Sequence, residues 1–71
     1  MYIVIELQTN GGTTANIVRA YADFAVALQA YYTILAAAAV SSVEIHAAVM
    51  VDAKGELLRH ESFTHNSKEA D

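Results

Sequence analysis

Residues 23–44 read DFAVALQAYYTILAAAAVSSVE, and the twenty residues from Phe24 to Val43 carry no charge. Alanine and leucine set a strong helical propensity across this stretch. Asp23 is placed to cap it, because a carboxylate there accepts from free backbone N–H groups and meets the positive helix end. The pattern predicts a helix from Phe24 to about Val40, stopped by Ser41 and Ser42. Phe24, Leu28, Tyr31, Leu35 and Ala38 recur at i, i+4 and i+7 and are expected to face the core.

The back of this helix is the unusual part. Val26, Ala30, Thr33, Ala37 and Val40 stand where a surface helix normally carries Lys and Glu. A helix that is apolar all round is buried all round or lies in lipid. Several features argue against a membrane span: the run is mostly alanine, Gln29, Tyr32, Thr33 and the two serines dilute it, and Lys or Arg do not flank it. A monomer with an alanine-rich outer side is the plain alternative. The expectation favoured by the pattern is a homo-oligomer in which a second chain covers Val26, Ala30, Thr33, Ala37 and Val40.

Strand signals lie on both sides. Tyr2–Gln8 (YIVIELQ) and Ala15–Tyr21 (ANIVRAY) are rich in β-branched residues and enclose Asn10-Gly11-Gly12, a tight-hairpin signal. With the turn centred on the two glycines, Ile5 falls opposite Val18 and Ile3 opposite Ala20. Val43–Asp52 alternates, Asp52–Gly55 reads as a type I turn with Gly in the left-handed position, and Glu56–Phe63 reads as a fourth strand. The fold expected is a single α+β domain of order β-β-α-β-β over residues 1–63, with a sheet of antiparallel hairpins packed on one helix and residues 64–71 as a flexible polar tail. Ile3, Ile5, Leu7, Val18, Ala20, Val43, Ile45, Ala47, Val49 and Val51 are the predicted core face. Tyr2, Arg19, Tyr21, His46, Met50 and His60 are assigned to the opposite face as candidate contacts for a partner or a small ligand.

Length and composition narrow the function. The chain has 71 residues, 55% of them hydrophobic, a net charge of -4 and no cysteine. A domain this small has little core of its own, and disulfides are not available to supplement it. Only Arg19, Lys54, Arg59 and Lys68 could neutralise phosphate, which argues against nucleic acid. His46 and His60 are expected on one face, where Glu44 would have to complete a metal site, and so sparse a set supports no metal or other cofactor. Asn10–Thr14 lacks the lysine and following helix of a phosphate loop. Glu6 and Glu61 have no cleft to split their pKa values, and Glu6 is expected near Arg19. No catalytic residue stands out. A non-enzymatic, self-associating structural or interaction module is expected, with sequestration of a nucleotide-like small molecule between subunits as the alternative.

The segments MYIVIELQTN (residues 1–10), TILAAAAVSSVEIHAAVM (33–50) and ESFTH (61–65) resemble a group of short, uncharacterised proteins encoded by Firmicutes and gut-bacterial genomes, often in prophage regions. The resemblance covers most of the chain. It departs at Phe24–Ala30, FAVALQA here, where the group carries charged residues. It implies a phage-related or bacterial cytoplasmic setting and transfers no catalytic residue.

Overall fold

A computed structural model describes residues 1–65. Strand β1 spans Tyr2–Asn10, β2 Thr13–Tyr21, β3 Ile45–Asp52 and β4 Leu57–Thr64, and helix α1 spans Phe24–Ala39. The strands form one antiparallel sheet of order β2-β1-β3-β4, with α1 packed on one face. The expected α+β fold and element order are therefore present.

The first turn follows from its glycines. Gly11 and Gly12 have φ of 57° and 83°, the pair of positive values that a type I′ turn demands. The resulting register pairs Ile5 with Val18 and Ile3 with Ala20, as the glycine-centred turn predicts. The second turn closes through Gly55 N–H donating to Asp52 C=O at 3.0 Å, with Gly55 at φ 85°. A register shift between Met50 and Val51 then introduces a bulge against β4.

Helix α1 begins where Asp23 accepts from the Ala25 N–H at 2.8 Å. It ends without glycine: Val40 and Ser41 N–H groups donate to Ala37 and Ala38 carbonyls, both at 3.3 Å. His65 also donates through Nε2 to the Ala38 carbonyl at 2.7 Å, which satisfies a helix-end acceptor. His65 N–H donates to the Glu44 carbonyl at 2.7 Å. The flexible tail expected over residues 64–71 does not hold at its first two positions, since Thr64 belongs to β4 and His65 is tied down; residues 66–71 lie outside the described residues.

The face of the sheet that meets the helix is the reverse of the expected one. The core under α1 is Val4, Ala48 and Met50 from the sheet with Ala27 and Tyr31 from the helix, flanked by Tyr2, Tyr21, Leu28, Ile34 and Leu35. Val4 and Met50 are direct cross-strand partners, and Met50 is 0% exposed. Ile3, Ile5, Leu7, Val18, Ala20, Val49 and Val51 face away from the helix. Chirality supplies the reason. β2 and β3 both run antiparallel to β1, hence parallel to each other, so β2–α1–β3 is a crossover connection. The strong preference for right-handed crossovers selects the helix's face by handedness, whichever face is more apolar. Alanines make that seat workable: Ala27 and Ala48, both 0% exposed, let the helix approach closely. On the helix itself the predicted stripe holds at Tyr31 and Ala38, but Phe24 sits at the rim, edge-on to Tyr2 with ring centroids 5.3 Å apart.

Candidate functional site

Three features bear on function. The first is a polar chain beneath the C-terminal end of α1. His46 Nε2 lies 2.6 Å from Glu6 Oε2, and His46 Nδ1 lies 3.0 Å from Ser41 Oγ. Gln8 donates to the same Glu6 oxygen at 2.9 Å. With Glu6 ionised, Nε2 is the donor, which leaves the Nδ1 of a neutral ring to accept from Ser41. The order carboxylate–imidazole–hydroxyl matches that of acyl-transfer relays. Its surroundings are those of a structural clasp. His46 is 4% exposed. Ser41 follows the carbonyl-rich helix end, which opposes a developing oxyanion, and its oxygen also accepts from Val43 N–H at 3.3 Å. The chain fastens the helix exit to β1 and β3.

The second feature is a groove of about 380 Å³ between α1 and β2. The helix lies chiefly over β3 and β1, so the helix side of β2 stays open. Val4, Ile17 and Tyr21 form the floor with Arg19 and Glu6; Val26, Ala30, Thr33 and Ile34 form the helical wall. Val26, Ala30 and Thr33, expected at an oligomer contact, thus meet Arg19 and Tyr21, expected on a ligand face. Ala37 and Val40 lie beyond the groove, Val40 being 85% exposed. Arg19 makes no salt bridge among the described residues, and Glu6 instead lies against His46. The expected proximity of Glu6 to Arg19 is not a pairing: Glu6 lies opposite Ile17, and Arg19 opposite Val4.

The third feature is the sheet face turned away from the helix. Along β1 it presents Ile3, Ile5, Leu7 and Thr9, and along β2 Thr14, Asn16, Val18 and Ala20. Along β3 it presents Ile45, Ala47, Val49 and Val51, and along β4 Leu57, His60, Ser62 and Thr64. None of these is Asp, Glu, Lys or Arg. The charged strand residues Glu6, Arg19, Asp52, Arg59 and Glu61 share the helix side. An antiparallel sheet with one wet face normally shows the opposite arrangement, apolar toward its helix and polar toward water.

The candidate contact set Tyr2, Arg19, Tyr21, His46, Met50 and His60 is accordingly divided. Met50 and His46 are buried under the helix, and Tyr2, Arg19 and Tyr21 are on the same side. His60 pairs with Val49 on the other face, whereas His46 pairs with Phe63. The bulge beside Met50 and Val51 shifts the alternation of β4 and separates the histidines. Among the described residues no group of three or more His, Cys, Asp or Glu could hold a metal ion, and no helix is long and apolar enough to cross a membrane. The polar chain joins β1, β3 and the loop after α1, and the groove joins β1, β2 and α1, juxtapositions without a local sequence signal.

No protein-family model matches the chain, and comparison with curated proteins and with solved structures returns no match.

Proposed function

We propose that the protein is a non-enzymatic, self-associating interaction module whose open sheet face meets the same face of a second copy. The observation that carries this is the charge-free face of Ile3, Ile5, Leu7, Val18, Val49 and Val51. Four strands at about 4.8 Å spacing and about eight residues of about 3.3 Å each give a footprint on the order of 500 Å². Two such faces bury on the order of 1,000 Å², where specific interfaces begin. Face-to-face sheets packed about 10 Å apart would leave the two helices outermost, a four-layer arrangement. A two-fold axis needs a self-complementary patch, and a face without charge sets no like charges against each other. The phage-related, cytoplasmic setting implied by sequence resemblance belongs to the same proposal.

Val49→Glu tests it. Val49 lies at the centre of the open face and outside the helix core, so the single chain should keep its fold while the assembly is lost. Sedimentation equilibrium should give at least a dimer for wild type and a monomer for the variant. Ala37→Glu, on the exposed back of the helix, should leave the mass unchanged. A monomeric wild type, or dissociation by Ala37→Glu alone, would reject the open face as the contact.

A further inference from the structure

The two edges of the sheet differ in kind. β4 is interrupted by the bulge beside Met50 and Val51 and carries Arg59, His60 and Glu61. Irregularity and charge of this sort are how natural sheets blunt an edge. β2 has neither defence. Its ladder to β1 is unbroken from Asn10–Thr13 to Tyr2–Tyr21, it contains no proline, and Arg19 is its single charged residue. The type I′ turn makes Asn10–Thr13 a hydrogen-bonded pair, so the alternation of an antiparallel ladder turns the N–H and C=O groups of Thr14, Asn16, Val18 and Ala20 outward.

Beside this edge runs the groove between α1 and β2, about 380 Å³ and within the range of ligand sites. Its walls are mainly apolar, through Val4, Ile17, Val26, Ala30 and Ile34. Its two charges differ in availability. Glu6 is held by His46 and Gln8, while Arg19 has no salt-bridge partner among the described residues.

We propose that β2 and this groove bind an extended peptide, which adds to the sheet as a further strand. Main-chain hydrogen bonds to the β2 edge supply affinity, and alternate side chains of the peptide close the open side of the groove. The peptide is apolar at those alternate positions and carries a carboxylate that pairs with Arg19. A second copy's β2 suits the edge less well: TTANIVRAY has no acidic residue and would bring another arginine. The groove lies on the helix side, and the outward N–H and C=O groups of β2 point along the sheet plane rather than out of the open face, so the proposal does not depend on self-association.

The test uses a fluorescein-labelled peptide, acetyl-Thr-Leu-Thr-Glu-Thr-Leu-Thr-amide, and its counterpart with Lys for Glu. Fluorescence anisotropy is measured with the full chain and with the Val49→Glu variant. Saturable binding of the Glu peptide is expected for both proteins, with the Lys peptide about tenfold weaker, on the scale of a charge-assisted Arg–carboxylate bond. Arg19→Gln should weaken the Glu peptide about tenfold and not the Lys peptide. Val18→Pro removes an outward N–H and leaves the β1 ladder intact, so it should abolish binding with circular dichroism unchanged. Should Val18→Pro unfold the chain, amide shifts of Thr14–Ala20 on adding peptide to wild type give the same answer. Absence of saturable binding, equal affinity for both peptides, or shifts confined to β4 or the open face would overturn the proposal. So would undiminished binding of the Glu peptide by a folded Val18→Pro variant.

Discussion

Glu6 and His46 lie forty positions apart in sequence and 2.6 Å apart in space. Glu6→Ala would leave a buried imidazole N–H without its acceptor and release Gln8. Because a buried donor left unpaired carries its full desolvation cost, about 1–3 kcal/mol of stability should be lost, read as a lower midpoint in urea denaturation. Asp52 shows a second residue-level effect. The hydrogen bond from the Glu56 N–H holds its carboxyl below the usual carboxylate range against the opposing effect of burial, with further help from the Lys54 N–H, the Lys54 charge and the N-terminal charge. A depressed folded-state value means that the ionised form is favoured by folding. Its contribution is therefore complete above the ordinary value of 3.8 and is lost as pH falls through the lower folded-state value. Asp52→Asn should be less stable than wild type at neutral pH, and the gap should narrow as denaturation is repeated at decreasing pH below 3.8.

The hairpins and the helix each contain the reason for their own shape. Gly12 has φ 83° and open space where a Cβ would stand, so strain rather than a clash is what substitution introduces. Gly12→Ala should cost about 1–2 kcal/mol, seen in thermal melts, whereas Gly11→Asn, at φ 57°, should be nearly neutral because Asn tolerates that region. The helix is tied at one end by Asp23 and at the other by His65, and between them the small Ala27 is fully buried in the core that also holds Val4, Ala48 and Met50. Ala27→Leu would overpack that fully buried position, and a loss of about 1–3 kcal/mol is expected from chemical denaturation. Propensity, capping and turn chemistry made all five elements legible, with boundaries adjusted by a residue or two at most ends. β1 and β2 extend right up to the glycines because Thr9 and Thr14 close the ladder with a hydroxyl pair 2.8 Å apart. β3 begins only at Ile45 because Glu44 is engaged with the first turn, its N–H donating to Asn10 Oδ1 and its carboxylate accepting from Gly11 N–H.

Taken whole, the molecule places its most apolar sheet surface away from helix α1. Val18 is 58% exposed and Leu57 60%, and the isoleucines between them are half-buried only by their neighbours in the sheet. Covering that surface with a second copy would couple folding to association, so the melting temperature of wild type should rise with protein concentration and that of Val49→Glu should not. Alternation alone sorted the residues of β1, β2 and β3 into two sets correctly, and glycine placement set the first hairpin's register, because both depend on neighbours along the chain. Which set received the helix, and that His46 and His60 part company, depended on β1 lying between two parallel strands and on a bulge between the second turn and His60. Crossover handedness and strand order arise when distant segments pack, and nothing in a local run of residues encodes them.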